Sequence, residues 1–245
     1  MQIQDCPWEM KNIGCKTVQL NYTSQDKYSS NELQRAIDNY QYIVAKVPSG
    51  NINCLFGLQE DGFKLIETQI SLSMKMKDFN FNDKFVVMLS KHLSFEIIED
   101  KVGLKRILNH MTPNMFTTDR IHLDPEFGPK VGLHRYRNWI CSEFNQRSLL
   151  NEYSVDGIPI GFGLSRIKAG INYGLLGGVY EEYQKEGYGI LTAANNCLFP
   201  KIMGLNDVKR CKTVISSNNM PVIDFYSYLH FKVNNLEYVL IKHQK

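Results

Sequence analysis

The chain has 245 residues, 43% hydrophobic and 22% charged, which is enough apolar material for one large soluble domain or two small ones. Its formal net charge is only +3, and Lys and Arg are scattered without a basic run, which argues against a nucleic-acid module. No apolar run reaches bilayer-spanning length, and the start Met1-Gln2-Ile3-Gln4-Asp5 does not read as a secretory signal. The six cysteines form no C-x-x-C pair and have no histidine at metal-ligand spacing, so free thiols in a reducing cytoplasm and no metal site are expected.

The pattern divides the chain into two units, residues 1–80 and 81–245, joined by the polar stretch Lys75-Met76-Lys77-Asp78-Phe79-Asn80-Phe81-Asn82-Asp83. Residues 40–47 read as a strand, 52–59 as a short helix and 64–74 as a second strand. Residues 95–98 read as a strand, 102–109 as a helix, 111–127 as loop and 130–143 as a helix. A meander follows: 151–155, a turn at Asp156-Gly157, 158–167, a turn at Lys168-Ala169-Gly170, and 171–179. A helix is expected from the Gly187 region to about 203, then a strand over 211–215, a helix over 221–229 and a last strand over 231–241.

Two stretches echo each other. Val47-Pro48-Ser49-Gly50-Asn51 matches Ile215-Ser216-Ser217-Asn218-Asn219, and each continues through a helix to a phenylalanine, Phe63 or Phe231, that enters a strand. A degenerate half-domain packed against a complete one accounts for this. The first copy has Leu58 where the second has Tyr226, so only the second can supply a hydroxyl there.

Gln184-Lys185-Glu186-Gly187-Tyr188-Gly189 stands where a strand hands over to the helix that begins Ile190-Leu191-Thr192. A pyrophosphate needs several converging backbone N–H donors; a helix N-terminus provides them, and glycines let the backbone come close. A tight strand-to-helix turn alone asks for the same two glycines. There is no G-K-[ST] of a P-loop, and a dinucleotide fingerprint wants a third glycine at Thr192, although Asp207 lies near the offset of its ribose acid.

The two motifs together resemble the acetyl-coenzyme A site of the GNAT acetyltransferase superfamily. Val179, Gln184, Gly187 and Gly189 match V-x-P-x-x-[QR]-x-x-G-x-G, with Glu181 at the usual proline. Asn219, Phe225, Tyr226 and Phe231 match N-x-x-[AS]-x-x-[LF]-Y-x-x-x-G-F, with Val222 at the small residue and His230 at the glycine. The resemblance implies a mixed α/β GNAT fold and acetyl-CoA as cofactor. It further implies that Leu176, Gly177 and Val179 bind the pantetheine arm, and that the turn of Gln184, Lys185, Glu186, Gly187, Tyr188, Gly189 and Ile190, with Asn219 and Phe225, completes the coenzyme site. Tyr226 would be the general acid, since a phenol with an ordinary pKa near 10 keeps its proton at neutral pH.

A closer resemblance runs along the whole chain. Trp8-Glu9 before Gly14, Gly62-Phe63-Lys64-Leu65-Ile66-Glu67, and Arg120-Ile121-His122-Leu123-Asp124-Pro125 leading to Tyr136-Arg137-Asn138-Trp139-Ile140 are similar to the TDP-fucosamine acetyltransferase family, which acetylates a sugar-nucleotide amine. It implies that Glu67 is the base, acting through water, and that Arg120, His122, Tyr136 and Trp139 hold the acceptor; Asn219 is grouped with Tyr226 and Glu67 as a catalytic candidate. An exposed strand carboxylate at Glu67, core positions at Tyr136 and Trp139, and His122 as the base remain open. The expected partner is a small-molecule amine, with a homodimer allowed and neither nucleic acid nor membrane expected. Two alternatives stay beside this reading: a coenzyme-binding sensor without catalysis, and an enzyme whose acceptor is an amino acid, polyamine, antibiotic or protein N-terminus.

Overall fold

The computed structural model describes residues 1–244. Of the two units drawn from the sequence, the first, residues 1–80, contains β1 (Gln2–Asp5), α1 (Pro7–Ile13), β2 (Thr17–Asn21), α2 (Ser30–Ile37), β3 (Tyr42–Pro48), α3 (Ile52–Glu60) and β4 (Lys64–Lys75). The second begins with α4 (Lys84–Ser90), β5 (Leu93–Ile97), α5 (Lys101–His110), α6 (Arg120–Leu123) and α7 (Pro129–Asn145). It continues with β6 (Leu149–Val155), β7 (Ile158–Lys168), β8 (Ile171–Val179), α8 (Leu191–Ile202), β9 (Arg210–Ser216), α9 (Met220–Tyr228) and β10 (Lys232–His243).

All ten strands form one sheet in the order β1-β2-β3-β10-β4-β9-β8-β7-β6-β5. Its centre is the antiparallel pair β10–β4. Outward from that pair the two sides repeat. On one side β3 is antiparallel to β10 and parallel to β2; on the other β9 is antiparallel to β4 and parallel to β8. The last strand of each unit therefore lies between two strands of the other.

The echo in the sequence has a physical basis in how α3 and α9 end. In α3 the Gly62 amide bonds the Gln59 carbonyl and the Phe63 amide bonds the Leu58 carbonyl; in α9 the His230 amide bonds Ser227 and the Phe231 amide bonds Tyr226. Both are Schellman ends, which need a left-handed residue after the helix. Gly62 takes it at φ +86°, and His230 takes it at φ +58° despite its side chain. The expected glycine turn is thus made by a histidine, at the steric cost of that conformation.

Side chains on the two faces of the sheet alternate, as the pleat requires. On one face β4 turns Ile70, Leu72 and Met74 into a core shared with α4, α8 and α9. On the same face α2 and α3 cover a separate core under β2 and β3, and on the other face α5 and α7 cover Leu150, Phe162 and Leu164. Aspartate side chains start three helices of the second unit: Asp83 accepts from the Val86 amide, Asp100 from Gly103 and Asp119 from Ile121.

The observed elements differ from the sequence reading in three places. Residues 111–127 contain the short helix α6 inside the expected loop, started by Asp119. The helix expected from Gly187 starts at Leu191, after a 3₁₀ turn over Tyr188–Ile190. β1, α1, β2, α2 and α4 were not anticipated; each is short, eight residues at most. Among the described residues no helix is long and apolar enough to cross a membrane.

Candidate functional site

β8 and β9 run side by side for only four pairs, from Ile171 opposite Arg210 to Gly174 opposite Thr213. Beyond that point β8 continues to Val179 beside β7, and β9 continues to Ser216 beside β4, with nothing between them. The parting starts at an irregularity in the β7–β8 ladder, where Ser165 faces Gly174 and Leu164 faces Leu176, leaving Leu175 as the extra residue. Such a bulge bends its strand. The equivalent pair in the first unit, β2 and β3, stays joined over five pairs, from Thr17–Tyr42 to Asn21–Lys46. Only the second unit is open.

A cleft of about 1160 Å³ passes through the gap. It is lined by Leu176, Gly177, Val179, Gln184, Gly189, Asn219, Phe225 and Tyr226, and by Glu67, Arg120, Tyr136 and Trp139. The structure thus gathers candidates separated by more than a hundred residues. Five others in the glycine turn, Lys185, Glu186, Gly187, Tyr188 and Ile190, are not on the lining. Lys185, Glu186 and Gly187 are exposed at the rim, and Ile190 is buried in the core.

The turn is built for close approach. Gly187 has φ +83°, a conformation that a side chain would strain. A Cβ at Gly189 would press on the Phe225 ring at 3.0 Å. The amides of Gly187, Tyr188 and Gly189 take no part in the backbone hydrogen bonding of this turn. Gln184 reaches back to the strand end, its Nε2 donating to the Val179 carbonyl at 3.3 Å.

Tyr226 is buried, yet it is one of the residues that line the cleft. Two contacts fix it. Asn196 on α8 donates from Nδ2 to the phenol oxygen at 2.7 Å. Phe231 meets the ring edge-on at 4.8 Å between centroids. That contact is the apolar one that accompanies a Schellman end, so the Tyr-to-Phe spacing in the sequence is a device for orienting the phenol. Burial raises the phenol's pKa well above its ordinary value; the Thr213 hydroxyl and Asn196 work against that rise. Asn219 makes no capping bond to α9, unlike Asn51, whose Oδ1 accepts from the Cys54 amide at 3.2 Å.

The opposite face of the sheet carries a different chemistry. Lys46, Val239 and Glu67 lie in one row across β3, β10 and β4, and Gln69 and Ser71 follow Glu67 on the same face. Glu67 is buried and accepts a 3.2 Å hydrogen bond from Gln69. Above it, Glu9 from α1 binds Arg120 at 2.5 Å and Arg135 at 2.8 Å. Burial alone would raise the Glu9 pKa, but the two guanidinium groups outweigh it and hold the carboxyl below its ordinary range. Arg135 also lies over the Trp8 ring, 5.2 Å from its centroid. The Arg120 Nε is buried without a partner. Lys46 lines the cleft and, among the described residues, has no carboxylate within salt-bridge distance; burial and then Arg120 lower its pKa.

His122 is not brought to the cleft. Its ring is 3% exposed, held by Asp119 at 2.6 Å and packed over Gly132. Tyr136 does line the cleft while its ring packs on Phe116, His122 and Trp139, so it is both core and wall. The sequence reading missed Lys46, Arg135 and Asn196. Lys46 had a visible signal, a charge inside the apolar run Tyr42-Ile43-Val44-Ala45-Lys46-Val47. Arg135 and Asn196 had none, because their partners Glu9 and Tyr226 are remote in sequence.

A mixed sheet whose parallel pair parts at a bulge, with a glycine turn and helix following the splayed strand, is the fold of the GCN5-related N-acetyltransferases. Solved structures agree. A functionally unknown conserved protein from Staphylococcus epidermidis ATCC 12228 matches 94% of this chain and 84% of its own, with 10% identity and TM-score 0.61. A GCN5-related N-acetyltransferase from Kribbella flavida matches 94% and 82%, with 10% identity and TM-score 0.55. A tandem GNAT protein from the clavulanic acid biosynthesis pathway matches 86% and 66%, with 12% identity and TM-score 0.52. Compared with protein-family models and with curated proteins, the sequence matches none. At these identities the likeness establishes the fold.

Proposed function

We propose that the chain is an acetyl-CoA-dependent N-acetyltransferase acting on the primary amine of a small molecule, with an amino sugar of a sugar nucleotide as the leading acceptor. The observation that carries this reading is the gap between β8 and β9, with the Tyr226 hydroxyl on one side of the sheet and Glu67 on the other. The residues suit the coenzyme: a glycine turn with uncommitted amides at a helix start for the pyrophosphate, and unpaired strand edges along Leu176, Gly177 and Val179 for the pantetheine amides. When bound, the coenzyme supplies a thioester activated toward an amine.

Glu67, buried on the acceptor face, takes a proton from the amine, directly or through water, so that a neutral nitrogen attacks. Backbone N–H groups on the freed edge of β8 stabilise the negative charge that develops on the carbonyl oxygen. Tyr226 donates its proton to the departing sulfur as the C–N bond replaces the C–S bond. Asn196 already donates to the phenol oxygen, which leaves the O–H to point elsewhere. Asn219, uncommitted at the start of α9, is the third candidate at this end. On the acceptor side Lys46 and the free Nε of Arg120 suit an anionic group such as a phosphate, and Tyr136 and Trp139 offer faces for a base or sugar ring.

The test is thiol release from acetyl-CoA by the full chain, with a panel of amines that includes nucleotide-linked amino sugars, beside calorimetric binding of coenzyme A. Amine-dependent thiol release supports the reading. Tight coenzyme binding with no release from any amine would replace it with a coenzyme sensor, and no binding at all would end it.

A further inference from the structure

The sequence has no basic run, yet the sheet assembles a basic strip. Where β8 and β9 are still joined, Arg166 of β7, Tyr173 of β8, Lys212 of β9, Ser73 of β4 and Lys232 of β10 stand in one row. The next row is Lys168, Ile171, Arg210 and Lys75 on β7, β8, β9 and β4. Register partners point to one face of a sheet. Here it is the face that carries Glu67, because Ser73 and Lys75 follow Glu67 at even spacing along β4. Six cations from four strands therefore share that face. At about 4.8 Å per strand and about 3.4 Å per residue, they occupy a strip of roughly 19 Å by 7 Å.

Among the described residues the strip holds one ion pair, Arg166 with Glu143 at 2.7 Å. Lys75, Lys168, Arg210, Lys212 and Lys232 have no carboxylate within salt-bridge distance. No helix closes over the strip: Lys75, Arg166, Lys168 and Lys232 are exposed. Tyr173, Arg210 and Lys212 line the same cleft as Glu67. Ser73, beside Lys212, lies about 20 Å from Glu67 along β4. Like charges this close repel, and a negative chain laid over them relieves the repulsion. A strip that runs into a cleft fits a chain better than a flat bilayer. Tyr173 is the one aromatic residue in the two rows, whereas grooves for single-stranded nucleic acid stack successive bases on several rings. Ile171 in the second row and the exposed Val214 beyond Lys212 suit aliphatic side chains instead.

We propose that this strip docks an acidic segment of a partner protein, an extended stretch rich in Asp and Glu. About six extended residues span its width, and a segment there leaves the Glu67 end of the cleft open. The surface is independent of the acetyltransferase reading. The test is fluorescence anisotropy of the full chain with a labelled peptide of about ten alternating Asp and Glu residues, long enough for the strip. Its N-terminus is acetylated, so that it offers no amine. The peptide should bind, a matching peptide of Asn and Gln should not, and added salt should weaken binding. Lys212→Gln with Lys232→Gln should weaken it about fivefold, the worth of two partly exposed ion pairs. Lys11→Gln with Lys27→Gln removes the same charge from exposed positions elsewhere and should leave binding unchanged. Equal losses in the two double variants would mean that net charge alone attracts the peptide, and would overturn the proposal. So would no binding to the unaltered chain, or tighter binding of an oligothymidylate strand. Calorimetric titration of the Lys212→Gln, Lys232→Gln protein with coenzyme A should match the unaltered chain, which keeps this test separate from that of the acetyltransferase reading.

Discussion

Replacing Tyr226 with phenylalanine separates the chemical role of its hydroxyl from its place in the core. The ring would keep its edge contact with Phe231 at 4.8 Å. Asn196 would lose its 2.7 Å bond to the phenol but keep a 3.3 Å bond to the Ala193 carbonyl, so its amide is not wholly stranded. The expected loss of stability is therefore about 1 kcal/mol, the usual net worth of one hydrogen bond. If the phenol protonates the leaving thiolate, turnover falls by about ten- to a thousand-fold, which is roughly 1.4–4 kcal/mol of barrier. Coenzyme affinity should stay nearly constant, since a group used only in the transition state leaves ground-state binding alone. The pH profile gives a second readout. Because burial raises the phenol's pKa, its proton is present across the neutral range, and no loss of rate from Tyr226 ionisation should occur below about pH 10. Thiol-release kinetics with urea denaturation of the same protein distinguish the two effects. Turnover within about twofold of the unaltered protein would refute the acid role.

Two further outcomes follow from buried contacts. Glu9→Gln leaves Arg120 and Arg135 without their shared carboxylate and should cost about 3–5 kcal/mol in urea unfolding. The folded-state pKa of Glu9 is depressed, so its contribution is complete above the ordinary carboxylate value and is lost as pH falls below it toward the depressed one; unfolding free energy measured from pH 6 down to 3 should decline less steeply in the variant than in the unaltered chain. His230→Gly relieves a left-handed residue at φ +58° while keeping the Schellman bonds, and should raise stability by about 1 kcal/mol, read as a higher urea midpoint at unchanged slope.

What was legible in the sequence was local. The Asn-to-Tyr-to-Phe spacing is one helix with its start and end, and the glycines of the turn sit beside each other, so both could be read without knowing the fold. The meander over 151–179 was equally plain, because Asp156-Gly157 and Ala169-Gly170 mark its turns. The acceptor side was not. Glu9 meets Arg120 and Arg135 across more than a hundred residues, and nothing in their surroundings announces the pairing. His122 shows the converse error. It lies in a stretch that resembles a substrate loop, but α6 turns it inward to Asp119, and a one-turn helix cannot be told from loop by periodicity.

The division at residue 80 was drawn from composition, and the sheet offers a way to test how far the two units are separate. β4, from the first unit, lies between β10 and β9 of the second. A fragment of residues 81–245 would therefore lose the strand that pairs along nine residues of β10 and seven of β9. It would also lose Leu72 and Met74 from the core that holds Tyr226. The freed edges would be long and partly apolar, which favours association of the fragment with itself. Fragment 81–245 made alone should not unfold cooperatively, while the two fragments made together should reassemble into one species with a single transition. The reasoning would fail if 81–245 alone showed a cooperative transition and bound coenzyme A as the whole chain does.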